Sequence, residues 1–268
     1  MNELTVDYHL HTARCKHAKG NMEEYVKQAI RLGLTEIAFT DHIPLPDNYD
    51  SAHRMAENEL ADYVADVQRL QKEFPQLKIK LGIEADFIDG MENFLEDILR
   101  QHPFDLVIMS VHFIRHWPEG NWVFKYNFPG KTLTQIYEDY LQAVLRGLQS
   151  GLFDIVGHLD LIKAARQSVL AYNRPSIERI LREVQKQGMA VEINTSGWRK
   201  AVAQPYPAGE AWPLLLEHRI PLTIGSDAHA PDQVGFAFER LQSELQAFHT
   251  IPLASFHNRK MTLRKIQF

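Results

Sequence analysis

The chain has 268 residues, 45% hydrophobic and 24% charged, with a formal net charge of −5. That length fits one large core or two small domains, and no apolar run approaches the ~20 residues that cross a bilayer, which excludes a membrane role. The acidic balance argues against a nucleic-acid partner, which needs Lys and Arg clustered against phosphates, and a single cysteine, Cys15, excludes a disulfide framework or a cysteine-rich zinc ribbon. The start MNELTVDYHLHT has no basic segment followed by an apolar stretch, so the expected location is the cytoplasm.

Short β-rich runs are predicted over 3–8, 36–41, 78–84, 104–112, 153–158, 189–194 and 221–227, and most are followed by helical periodicity. After the first run, Asn21 caps a helix with Glu24 three residues on, Tyr25, Val26, Ala29 and Ile30 share a face, and Gly33 ends it. Leu60, Tyr63, Val64, Val67 and Leu70 form a second stripe, and Leu133, Ile136, Tyr137, Tyr140, Val144 and Leu148 a third. No linker, low-complexity tract or repeat interrupts the series, so residues 1–268 read as a single domain. Parallel strands alternating with helices make an open doubly wound sheet or a closed barrel, and both place ligands at the carboxyl ends of strands. Seven evenly spread units, with first and last strands expected at one centre, predict a TIM-like (β/α)7 barrel.

Those carboxyl ends carry the chemistry. His9, His11, His42, His112, His158 and His229 close apolar runs, with His17 just downstream of the first. His9-Leu10-His11 on a strand puts both imidazoles on one face, because side-chain direction has period two. Ser226-Asp227-Ala228-His229 repeats that spacing with a carboxylate and an imidazole. A lone histidine of this kind is most simply a core residue bonded to backbone; seven at successive strand ends point to metal.

In order along the chain, DYHLHT, CKHAKG, FTDH, GIEADF, SVHF, GHLD and GSDAH resemble the motifs of the PHP (polymerase and histidinol phosphatase) superfamily. FTDHIPLP, INTSGWRK and SDAHAP bring the chain nearer the histidinol-phosphatase branch. The resemblance implies a distorted (β/α)7 barrel with three divalent metal ions, Zn, Mn or Fe. It further implies that His9, His11, Glu84 and Asp227 hold the first metal, Glu84 with His112 and His158 the second, and His17, His42 and His229 the third, with Asp41 behind them. The implied reaction is hydrolysis of L-histidinol phosphate in histidine biosynthesis, by in-line attack of a metal-activated water. Glu84 serves the nucleophile there, and Asp227 or His229 supplies the leaving group's proton. The partner is then a small phosphorylated molecule, and nothing in the sequence fixes an oligomeric state.

Arg199, after the sixth strand, is the first candidate to grip phosphate, and Arg166 the second, against its reading as a solvated helix arginine. Asp86, Asp160 and Glu192 lie near strand exits and are candidates to meet an amino-imidazole. The segment from Phe113 to Lys131, with Trp117, Trp122, Phe124, Tyr126 and Phe128, reads as a long aromatic loop, either a substrate wall or a pinned surface loop. His53, His102, His218, His249 and His257 read as surface or packing residues, and Cys15 as a small buried thiol. Alternatives are a PHP phosphodiesterase or nuclease, another small-molecule phosphomonoesterase, an amidohydrolase-like barrel, which would bridge its metals with lysine, and a non-enzymatic metal-binding domain.

Overall fold

A computed structural model describes residues 4–116, 122–124, 130–165 and 169–268. Seven parallel strands, β1 (Val6–Leu10), β2 (Glu36–Phe39), β3 (Lys78–Asp86), β4 (Leu106–Ser110), β5 (Ile155–Val156), β6 (Ala190–Asn194) and β7 (Leu222–Gly225), pair in sequence order. A helix follows each: α1 (Met22–Arg31), α2 (Leu60–Glu73), α3 (Glu92–Gln101), α4 (Leu133–Gln149), α5 (Val169–Gln187), α6 (Trp212–Glu217) and α7 (Phe238–Leu245). The architecture is a distorted (β/α)7 barrel. The hydrogen-bonded sheet is not a closed ring: β1 meets the chain just past β7 through an isolated Leu10–Ala228 bridge, with His11 N donating to Ala228 O at 2.9 Å and Ala228 N to His9 O at 3.1 Å, and through Asp7 Oδ1, which accepts from Ser226 N at 2.8 Å.

The helices form where the pattern places them. Asn21 Oδ1 accepts from Glu24 N at 3.0 Å while Glu24 Oε2 accepts from Asn21 N at 2.7 Å, a reciprocal cap for α1. Gly33 follows at φ +72°, a left-handed turn that glycine takes without strain. The predicted stripe of α2 is wholly buried, and Tyr63 in it donates to Gly82 O of β3 at 2.9 Å. Each such large side chain contributes roughly 1.5–3 kcal/mol by leaving water, so α2 is held by its inner face rather than by helix propensity.

Two strands lie beyond the predicted set. β8 (Thr250–His257) pairs with β7 at Leu222–Leu253 and turns through Asn258 and Arg259, at φ +48° and +61°, into antiparallel β9 (Lys260–Gln267). Two left-handed residues between paired ends make the two-residue turn whose twist suits a hairpin. The hairpin lies at the amino ends of the strands: Ser255 reaches Glu36 of β2, His257 reaches Asp105 before β4, and Arg259 reaches Asp154 before β5. The carboxyl ends are left to the site.

Candidate active site

The first strand delivers two imidazoles to the barrel centre, their ring centroids 5.1 Å apart. His9 Nδ1 donates to Glu192 Oε1 at 2.7 Å, which fixes the ring and aims Nε2 inward, 3.5 Å from Glu84 Oε2 and 3.9 Å from Asp227 Oδ1. His11 Nε2 stands 3.5 Å from Glu84 Oε2 and 3.3 Å from Asp227 Oδ1. Asp41 sits behind these rings: it accepts from Thr12 N and from its neighbour His42 N, and approaches His11 Nδ1 to 3.5 Å.

Glu84, near the end of β3 and 1% exposed, is the hub. His158 Nε2 lies 3.0 Å and His112 Nε2 3.8 Å from its Oε1, and His42 Nδ1 approaches Oε2 to 2.8 Å. His112 is oriented by Asp86, whose Oδ1 accepts its Nδ1–H at 2.9 Å. On the cavity side, His17 Nε2 and His229 Nε2 face each other at 2.9 Å, each ring held from behind by a backbone carbonyl, of Cys15 and Asp227 respectively. Asp227 itself has φ +52°, and its Oδ2 accepts from Ser196 Oγ at 3.0 Å and Asn194 Nδ2 at 3.3 Å, so the turn after β7 is held by side chains from β6 and beyond.

Burial should raise the pKa of Glu84, but the surrounding rings of His42, His9 and His158 hold it well below the usual carboxylate range. Asp227 is likewise held low by His9 and His11 against its burial. Burial works against charge on His9 and His11 as well; Glu192, Glu84 and Asp227 outweigh it for His9, and Asp227 and Asp41 for His11, so both are raised. Burial wins at His42, pushed down to about 4, and at His229, pushed down to about 2.

Six buried atoms here, His9 Nε2, both ring nitrogens of His11, His42 Nδ1, Glu84 Oε2 and His158 Nδ1, have no hydrogen-bond partner. His42 Nδ1 and Glu84 Oε2 face each other at 2.8 Å, and a buried group with no partner at all costs about 1–3 kcal/mol. Groups left this way converge on something that supplies electrophilic partners. Four trios, His9–His11–Glu84, His9–His158–Asp227, His42–Glu84–His112 and His17–His42–His229, each bring ligand atoms within 4.8 Å of one another, and His11–Cys15–His229 makes a fifth. The donor set of imidazole and carboxylate fits divalent metal ions. These trios overlap the expected partition and also link His42 to Glu84 and His158 to Asp227.

Above the donors opens a cavity of about 840 Å³. Arg199 borders it, with Nη2 donating to Ser226 O at 3.0 Å and Asp227 O at 2.9 Å and the guanidinium over the Phe236 ring. Arg166 lies outside the described residues, as do Trp117, Tyr126 and Phe128. Phe113, Trp122 and Phe124 do reach the cavity wall. Asp86, Asp160 and Glu192 do not: Asp86 is tied to His112 and to Arg54 at 3.0 Å, Asp160 to Lys163 and Ala208 N, and Glu192 to His9 and His158 N.

Sequence reasoning also missed residues the structure brings in. Arg54, 2% exposed, links Asp86 to Asp50; Glu192, a candidate to meet the substrate, instead orients His9. Glu192 and Asn194 had a signal, two polar residues at period two in an otherwise apolar strand, which reads as a face turned into the barrel. His53, expected as a surface or packing residue, lines the cavity with its Nδ1 2.7 Å from Asp50 Oδ1.

The described chain thus presents a metal-binding centre on a barrel's carboxyl face, and it belongs to the PHP domain family, whose model matches residues 7–196. It is 41% identical over 241 residues to a "probable histidinol-phosphatase" of Deinococcus radiodurans, spanning 90% of this chain and 92% of that one. It is 31% identical over 265 residues to the histidinol-phosphatase of Bacillus subtilis, spanning 87% of this chain and 96% of the relative. Among solved structures, it is similar to histidinol phosphate phosphatase from Lactococcus lactis complexed with zinc, L-histidinol and phosphate, at a TM-score of 0.81 and 25% identity, covering 97% of this chain and 99% of that chain. No helix among the described residues is long and apolar enough to cross a membrane.

Proposed function

We propose that the chain hydrolyses L-histidinol phosphate to L-histidinol and phosphate, as a metal-dependent phosphoric monoester hydrolase of histidine biosynthesis acting in the cytoplasm. The observation that carries the reading is the set of unpaired imidazole and carboxylate atoms around Glu84 beneath an open cavity. His9, His11, Glu84 and Asp227 would hold one divalent ion, Glu84 with His112 and His158 a second, and His17, His42 and His229 a third, with Zn, Mn or Fe all suited to such donors. Bound there, the ions would lower the pKa of water to about 7 and offset charge on the transferring phosphoryl group.

The protein's own groups do the rest. Glu192, Asp86 and Asp41 fix the rings of His9, His112 and His11 so that the donors stand ready. Arg199 adds positive charge beside Asp227 and holds the turn that carries it. In this reading Asp227 or His229 stands nearest to supply the proton gained by the leaving alkoxide, and neighbouring imidazoles hold the Asp227 carboxylate charged against its burial.

Metal-loaded protein is expected to release inorganic phosphate from L-histidinol phosphate and to lose that turnover with a strong chelator and on His9→Ala. Turnover that survives both treatments would refute the proposal.

A further inference from the structure

The cavity is chemically two-sided. Arg199 and Lys200, past β6, bring positive charge to one side; in the connections after β2 and β4 lie His53, Trp122 and Phe124, with Arg54 beside them neutralised by its two carboxylate partners. Those aromatics adjoin the donor cluster directly, since His53 meets His17 edge-on at 5.6 Å, Phe124 stacks on His112 at 6.1 Å, and His53 and Trp122 rings stand 5.2 Å apart. Among the described residues, three carboxylates line the cavity, and two of them, Glu84 and Asp227, belong to the donor cluster. The third is Asp50.

Asp50 and Asp86 share one cation, Arg54, at 3.1 and 3.0 Å, so the group keeps a net negative charge, and Asp86 is fully buried while Asp50 faces the cavity. His53 Nδ1 donates to Asp50 Oδ1, which leaves Nε2 as the ring's remaining polar atom. An anionic pocket end with an aromatic face and an imidazole nitrogen suits a cationic, N–H-bearing ring compound.

We propose that Asp50, together with His53 and Trp122, binds the amino-imidazole end of the substrate. This rests on the reading that the substrate is L-histidinol phosphate. The phosphate then lies over the donor cluster, and the ammonium and imidazole N–H groups reach Asp50 and His53 Nε2 across the aromatic wall. A phosphomonoester without a cationic end gains nothing from that wall.

Calorimetric titration of L-histidinol into the metal-loaded protein tests the subsite without turnover. Asp50→Asn is expected to weaken L-histidinol binding about 10- to 100-fold while inorganic phosphate binding shifts less than about threefold. The same variant lowers the ratio of kcat/KM for L-histidinol phosphate over p-nitrophenyl phosphate about tenfold, chiefly through KM, and Asp50→Glu restores part of it. Trp122→Leu, which leaves the Asp50–Arg54 pair intact, is expected to weaken L-histidinol about 3- to 10-fold. Unchanged L-histidinol affinity in Asp50→Asn, equal losses for both titrants, or no L-histidinol binding by the parent protein overturns the proposal. A parent protein that binds L-histidinol through Asp50 yet fails to hydrolyse its phosphate ester refutes the proposed function and leaves the subsite standing.

Discussion

The two ends of the barrel solve the same problem, buried polar groups, in opposite ways. At the amino end the carboxylates of Asp105 and Asp154 find their partners in the protein. Asp105 accepts from Leu81 N, His257 and Asn258 N, and Asp154 accepts from Val107 N and twice from Arg259. Among the described residues, six of the ten buried side-chain atoms left without a hydrogen bond belong to His9, His11, His42, Glu84 and His158, at the carboxyl end. One end is finished by the chain itself, and the other by what it binds. Stability should therefore depend on the chain at the first end and on metal at the second.

The sharpest way to break that contrast is Glu84→Gln. Glu84 lies within 4 Å of five imidazoles, and the amide keeps the size while removing the charge that draws the donors together. Phosphatase activity is expected to fall on the order of 10³-fold, with bound metal lost in elemental analysis of the purified protein. Full metal content with near-normal kcat would mean that the carboxylate is an ordinary buried acid.

Glu192→Gln probes one step further out and should do less. Glu192 never reaches the cavity; it takes the Nδ1 proton of His9 and the backbone N–H of His158, so its loss loosens ligands without deleting one. A decrease of about 10- to 100-fold in metal affinity is expected, with kcat recovering at saturating metal. A kcat that stays low at saturation would instead place Glu192 in the chemistry.

What was legible beforehand follows the same division. The histidines at strand ends, the α1 cap and the α2 stripe are local signals, since period two or period 3.6 is written in neighbouring residues. The β8–β9 hairpin was not foreseen. Its turn, Asn258-Arg259, lacks the glycine that marks such turns, and β9 buries little but Ile266, so its alternation is faint. Arg54, Asp50 and His53 escaped for a different reason: they sit in the irregular β2–α2 connection, where only tertiary contacts to Asp86 and Trp122 give them a role. The metal partition was readable only through the family resemblance, because the trios join residues from distant strands.

The two ends should also answer pH differently. His9 and His11, with pKa values raised above 6.5, stabilise the metal-free fold fully below that value and lose the contribution as pH rises through the folded pKa. Glu84 and Asp227, held low, contribute above their unfolded values of 4.5 and 3.8 and lose that contribution on acidification. Ion binding needs neutral imidazoles, so it competes with the protons on His9 and His11. The Tm gap between manganese-loaded and metal-free protein should widen from about pH 6 to about pH 8 in scanning calorimetry. A gap that stays constant would show that these two rings are not displaced from their protons by metal.

The smallest effect belongs to the other end. Arg259 is about one-third exposed, and its guanidinium donates to Asp154 at 2.9 and 3.1 Å and to Leu152 O at 2.6 Å, tying the hairpin turn to the entrance of β5. After allowance for solvent screening, Arg259→Ala should cost about 1–2 kcal/mol, a fall of about 2–8 °C in Tm. Because the contact is at the far end of the strands, KM and kcat for L-histidinol phosphate should stay within about twofold. The loss should also be the same with and without metal, since nothing bound at the carboxyl end can replace a partner missing at the amino end. If added metal restored the Tm of Arg259→Ala, the two ends would be one cooperative unit in which hairpin and donor cluster share their stability.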